Sequence, residues 1–159
     1  MIKKLIQIAL LATTLFSYEI VIDKTSEVPK AKWGATFTRD NAKEVVVNDK
    51  TGLMWQDDSS AKTVERDWKG AKNYCQSLNF ASYNDWYLPS IKEMETLIDT
   101  TKYNPAIKDG FINVASSNYW SSSPPVVSGY SAWNVNFKNG GSYYNNTGKL
   151  YVRCVRAGQ

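Results

Sequence analysis

Histidine is absent from all 159 residues. Its absence excludes the Ser-His-Asp and Cys-His arrangements of nucleophilic catalysis. The commonest general base and the commonest transition-metal ligand go with it. Cysteine is almost as scarce: Cys75 and Cys154 are the two present, and without histidine they cannot build a zinc site of the usual Cys/His kind. Any catalysis would therefore rest on carboxylates, Tyr, Lys or Cys. Long apolar runs are missing as well. The stretch from Leu5 to Phe16 is about a dozen residues, where about twenty are needed to cross a bilayer. No internal repeat, low-complexity tract or coiled-coil heptad is present.

What is there begins with an export signature. Met1-Ile2-Lys3-Lys4 is a positive leader, Leu5 to Phe16 an apolar core and Ser17 a small residue suited to cleavage. Residues 1–17 are expected to be a signal peptide, and no cysteine follows to make it a lipoprotein signal. A retained N-terminal anchor is the competing reading, because Leu15 fits an A-x-A cleavage site poorly. The mature protein is expected in the periplasm or at the cell surface, with the membrane involved only through the export signal. In such a compartment an even cysteine count reads as a disulfide. Closing nearly eighty residues would stabilise by about 4–5 kcal/mol in the chain-entropy model. A free, redox-active pair is the alternative, although nothing resembles C-x-x-C.

The formal charge of +4 falls to +2 once Lys3 and Lys4 leave. From Tyr18 to Thr100, 11 Lys/Arg stand against 14 Asp/Glu; from Thr101 to Gln159, 6 stand against Asp109 alone. A balance of −3 followed by +5 suggests an anionic partner for the C-terminal part. An ordinary solvated basic surface explains it equally well.

Residues 18–36 read as an N-terminal linker with an edge strand at Ile20–Ile22. Phe37 to Asp40 reads as a short strand. Val45-Val46-Val47, the turn cluster Asn48 to Gly52, and Leu53 to Gln56 make a hairpin signal. A helix is expected from an N-cap at Asp67, with Trp68, Ala71, Cys75 and Leu78 on its buried face. Ser90 and Glu93 form a capping box for a second helix over Ile91 to Asp99. Strands follow at Tyr119–Ser123 and through Trp133, Val135 and Phe137, with Asn134 and Asn136 pointing outward. Lys138 to Ser142 is a strong turn, and Leu150, Val152 and Cys154 alternate in a last strand. Three indoles, Trp55, Trp68 and Trp86, mark a core nucleus. The class is α+β, two short helices with a β-rich, mainly antiparallel second half.

Five blocks in order carry a resemblance: Val47-x-Asp49-x-Thr51-Gly52-Leu53-Met54-Trp55-Gln56; Trp68-x-x-Ala71-x-x-Tyr74-Cys75-x-x-Leu78; Tyr83-x-Asp85-Trp86-x-Leu88-Pro89-Ser90-x-x-Glu93; Tyr119-Trp120-Ser121-Ser122; and Tyr151-Val152-Arg153-Cys154-Val155-Arg156. The order resembles the DUF1566 family, also called the Lcl C-terminal domain after a collagen-like adhesin, and places that domain at 37–158. Tyr87 stands where family members commonly have Arg. The resemblance implies a C-type-lectin-like fold related to the formylglycine-generating, sulfatase-modifying domain, with a disulfide from helix to last strand. The adhesin's collagen-like repeats are absent, so trimerisation by that route does not carry over.

Candidate chemistry concentrates in the aromatic and basic second half. Tyr130, Lys138, Tyr143, Tyr144, Lys149 and Arg153 are expected to contact a glycan or polyanion, since aromatic faces stack on sugar rings while Lys and Arg pair with sulfate or carboxylate. The resemblance implies sulfated glycosaminoglycans as one such ligand. Trp133 reads as core, and Arg153 and Arg156 also have a structural reading. The calcium motifs common in C-type lectins are not matched: Trp133-Asn134-Val135 lacks the final acid, and Asn104-Pro105-Ala106 is not Glu-Pro-Asn. Asp49, Asp57 and Asp58 read as solvated turn acids rather than cation ligands. Asp85 and Glu93 are candidate paired carboxylates, but Glu93 is already the capping residue. Asn145-Asn146-Thr147 is a glycosylation sequon. Nucleic acid is not expected, nor a metal or cofactor. The expected function is an exported, non-catalytic module binding a carbohydrate or anionic ligand. A protein-interaction or envelope-structural module is the first alternative and a sulfatase-modifying-type enzyme the second.

Overall fold

The computed structural model describes residues 35–124, 132–145 and 147–158. The expected signal peptide, nearly all of the linker with its Ile20–Ile22 strand, and Tyr130 lie outside the described residues. The first sheet has the order β1-β2-β3-β9 and is antiparallel throughout: β1 is Phe37–Asp40, β2 Val45–Asn48, β3 Met54–Gln56 and β9 Val155–Arg156. Local chemistry sets its turns. The Asp40 carboxylate accepts from Ala42 and Lys43 N–H, and the Asn48 amide oxygen from Lys50 and Thr51 N–H. Gly52 takes φ +73°, which closes the expected hairpin in the register Val46↔Trp55. Trp55 pairs with Val155 across the sheet, so the last strand joins the first hairpin.

The second sheet has the order β4-β8-β5-β6-β7. Here β4 is Glu65–Arg66, β5 Asn118–Trp120, β6 Ala132–Asn136, β7 Gly141–Asn145 and β8 Leu150–Tyr151. Only the β5–β8 pairing is parallel. A 3₁₀ turn, Ser59–Lys62, follows the first sheet and is capped by Asp58.

Helix α1, Trp68–Gln76, starts where expected, with the Asp67 carboxylate accepting from Gly70 N–H at 2.6 Å. It buries Ala71 and Cys75. Cys154 faces it, and the two form a disulfide with Cα atoms 5.5 Å apart. Helix α2, Ile91–Glu95, has both halves of the capping box: Glu93 N–H donates to Ser90 Oγ, and Ser90 N–H to Glu93 Oε2 at 2.7 Å.

Helix α2 stops short of the expected Asp99. Thr96, Leu97 and Ile98 N–H turn back by three residues, to Glu93, Met94 and Glu95, tightening the chain out of the α-helix. Leu97 and Ile98 still reach the core, because Lys108 N–H bonds Leu97 C=O and Ile98 bridges Ile107. The strand expected over Tyr119–Ser123 is likewise shorter: Ser122 N–H leaves the sheet for Pro89 C=O.

Two apolar clusters divide the interior. One holds Val46, Trp55, Met94, Leu97, Tyr119, Val135 and Phe137. The other gathers Ala71, Trp86, Leu88, Trp120, Val152 and the disulfide. Of the three indoles expected to form one nucleus, Trp55 sits in the first, Trp86 in the second, and Trp68 packs on the second half-buried. Buried Tyr119 has its polar end satisfied, with Oη donating to Ala61 C=O and accepting from Ala115 N–H, both at 2.8 Å, whereas the buried Trp55 indole N–H has no hydrogen-bond partner among the described residues. Asn134, expected to point outward, is 2% exposed, because β6 is an interior strand whose faces are both covered.

Candidate functional site

The expected ligand residues do not form one surface. Arg153 is a correction. Its side chain is fully buried and committed, with Nη1 donating to Gln56 C=O at 2.6 Å and to Asp57 Oδ1 at 2.8 Å, and Nη2 to Asn113 C=O at 2.6 Å. Its guanidinium also lies 4.9 Å from the Phe111 ring centroid. Asp57, expected to be a solvated turn acid, is equally buried and is the centre of this hub. It also accepts from Arg39 Nη1, Ile112 N–H and Asn113 N–H. Asp49 accepts from Thr36 and Thr38 hydroxyls, and Asp58 caps the 3₁₀ turn. Each of the three acids has a structural task. Among the described residues no group of three or more acids and cysteines gathers as a metal ion would require.

Arg156 is structural too. It donates to both oxygens of Asp85, at 2.7 and 3.0 Å, and lies 3.7 Å from the Tyr83 ring centroid. That bond holds the Asp85 carboxyl below its ordinary value. Asp85 and Glu93 are thus occupied separately, Glu93 by its cap and by the Tyr87 hydroxyl at 2.8 Å. Burial, reinforced by that carboxylate, pushes the Tyr87 phenol up to about 12. Tyr151 stacks on Tyr119 at 5.4 Å inside the sheet.

Lys138, Tyr143 and Tyr144 lie on the β6–β7 hairpin, at the edge of the second sheet. Its turn is built by asparagines: Asn136 Oδ1 accepts from Lys138 N–H at 2.8 Å and Asn139 Oδ1 from Gly141 N–H at 2.9 Å. Gly140 supplies φ +75° at a point where a Cβ would sit 2.8 Å from Ile98. Lys138 is exposed there. Strand alternation then sends consecutive tyrosines to opposite faces. Tyr144, 70% exposed, pairs with Trp133 edge-on at 6.0 Å. Trp133, read as core, is therefore half-buried beneath a surface tyrosine. Tyr143, 47% exposed, pairs with Asn134, and its hydroxyl accepts from Asn139 Nδ2 at 3.1 Å. Lys149 is exposed just before β8.

One feature escaped the sequence reading. Lys72, Gln76, Tyr87, Leu88 and Ser122 line a cleft of about 290 Å³, and Lys72 Nζ stands 3.6 Å from the Trp68 ring centroid. The i, i+4 spacing of Trp68 and Lys72 was the available signal. Tyr87 and Ser122 reach the cleft only through tertiary folding.

A family model described as Lcl C-terminal domain matches residues 44–156, from the end of the first turn to the end of β9. No curated protein matches the chain.

Proposed function

The chain belongs to the Lcl C-terminal domain family, and from that premise we propose that it is an exported, non-catalytic binding module that recognises a carbohydrate or anionic ligand. The observation that carries this reading is the β6–β7 edge, where Tyr143 and Tyr144 are exposed beside Lys138. Aromatic side chains left in water at a sheet edge offer contact area that the core does not use. The disulfide supports the exported setting, since such bonds persist in oxidising compartments. It also occupies both thiols, which speaks against reactive-cysteine chemistry of the sulfatase-modifying kind. The fold reading that goes with this proposal is C-type-lectin-like. Its supports are the union of first hairpin and last strand in one sheet and the staple from α1 to the chain's end.

The test is a glycan array together with heparin chromatography at two salt strengths. Binding to a defined glycan class supports the module. Heparin retention that falls with salt identifies a charged ligand, and a blank array with no retention overturns the reading. A protein partner in the envelope is the second reading, favoured by the place of β7 at the end of the second sheet among the described residues. Pull-down from envelope extract with and without Tyr144→Lys separates the two.

A further inference from the structure

The β6–β7 hairpin has little charge. From Ala132 to Asn145 the one ionisable cation is Lys138, and there is no acid. Its turn and edge strand, Asn139 to Asn145, consist only of Asn, Gly, Ser and Tyr. Those are the residue types that give adaptable hydrogen bonding and rigid aromatic area at low entropic cost in binding surfaces.

Within that hairpin the Tyr143 ring is fixed. A methyl built on Gly141 would lie 2.6 Å from Tyr143 Oη and 2.8 Å from Cε2 and Cζ, so the ring lies across the glycine and any side chain there would displace it. Asn139 Nδ2 donates to the same hydroxyl at 3.1 Å. The ring is nevertheless 47% exposed. An aromatic ring held at its hydroxyl end and open to water is not completing a core.

The strands next to it carry several amides. Tyr143 pairs with Asn134 and Gly141 with Asn136, while Asn136 pairs on its other side with Asn118. Period-two alternation puts all of these on one face of the sheet. The Asn118 and Asn134 amide oxygens are buried, and Asn134 as a whole is 2% exposed, so the amides open to the surface beside Gly141 are those of half-buried Asn136 and exposed Asn139. Amides both donate and accept, which suits hydroxyl groups and offers nothing special to sulfate or carboxylate.

Building on the glycan reading above, we infer that Tyr143 is a preorganised stacking platform for a neutral sugar ring, with the amides of Asn136 and Asn139 beside it addressing the sugar's hydroxyls. The apolar C–H face of the sugar lies on the phenol ring, and recognition owes little to charge. Tyr144 and Trp133, on the opposite face, are not part of this site.

The test uses the full chain, on an array carrying neutral hexose and N-acetylhexosamine oligosaccharides beside heparin, with calorimetric titration of the best neutral binder at low and high salt. The expected result is neutral-sugar binding that salt leaves unchanged. Gly141→Ala and Tyr143→Ala should each weaken it by about tenfold or more, the scale of losing an aromatic anchor. Tyr143→Phe should retain most of it. Gly141 does not adopt a left-handed φ, so Gly141→Ala meets only the movable end of a side chain and should keep its melting midpoint. Neutral binding that survives both Tyr143→Ala and Gly141→Ala overturns the inference. Binding to heparin alone, removed by salt, also overturns it while leaving the broader glycan reading in place. No binding to any glycan overturns both.

Discussion

Replacing Asp57 with alanine would remove the acceptor on which four donors converge: Arg39 Nη1, Arg153 Nη1, Ile112 N–H and Asn113 N–H. Arg153 has no exposed surface, and the Arg39 side chain is 11% exposed. Arg39 can swing toward water, but Arg153 cannot. The variant therefore leaves a buried guanidinium facing only the carbonyls of Gln56 and Asn113. Breaking a buried pair from one side costs about 3–5 kcal/mol. Domains of this size have about 5–15 kcal/mol in total, so the loss is a large share and should lower the melting midpoint by more than about 10 °C. Urea unfolding with the disulfide intact measures it, provided the slope of the transition is unchanged. Asp57→Leu combined with Arg153→Met should cost less than Asp57→Ala alone, because both charges leave together. A loss below about 1 kcal/mol for Asp57→Ala would refute the account of the hub as the fold's central polar tie.

Cys75→Ser should destabilise the protein by about 4–5 kcal/mol, as the bridge closes a loop across a separation of 79 residues; unfolding with and without reductant should coincide in the variant and differ in the parent. Tyr87 gives a signed pH dependence. Its folded value is about 12 against 10.0, so its contribution is complete below pH 10 and is lost as pH rises through about 12. Alkaline unfolding of Tyr87→Phe should be shallower in that window, and an unchanged slope would show that the phenol ionises as freely folded as unfolded.

What the sequence made legible is what short-range chemistry decides. The Asn48–Gly52 turn needs an amide acceptor and a left-handed residue, and both are neighbours in the chain. The Ser90 capping box spans three residues, and α1 announces itself by an acid before a periodic apolar face. The staple was accessible because two cysteines allow only one pairing and each fell on an inward position. Long-range polar contacts were not accessible. Asp57 looks like any turn acid until Arg153, 96 residues away, is folded onto it. Asn134 looks like the polar half of an alternating strand, and only its neighbours on both sides reveal that it is buried. The end of α2 was missed because its apolar stripe continues beyond Glu95 in a tighter turn. For the candidate site, the aromatics were found but their division between two faces was not drawn. The alternation of Tyr143 and Tyr144 was present in the sequence, whereas the glycine beneath Tyr143 acquires meaning only once the ring is seen lying on it.

The charge asymmetry between the two halves of the chain has a similar explanation. The basic excess after Thr100 suggested an anionic partner, yet four of its six residues are engaged within the fold. Arg153 meets Asp57 and Arg156 meets Asp85, each an acid from the first half. Lys102 pairs with Asp99 and Asp109, and Lys108 helps hold the Asp99 carboxyl low. The acidic first half and the basic second half are thus in part each other's partners, as expected when the last strand closes the first sheet. Exposed Lys138 and Lys149 are too few and too separated in sequence to define a polyanion track. The +5 balance therefore carries little weight as an argument for an anionic ligand. The low charge of the β6–β7 hairpin and the fixed ring of Tyr143 carry more, and they favour a neutral sugar over a sulfated one.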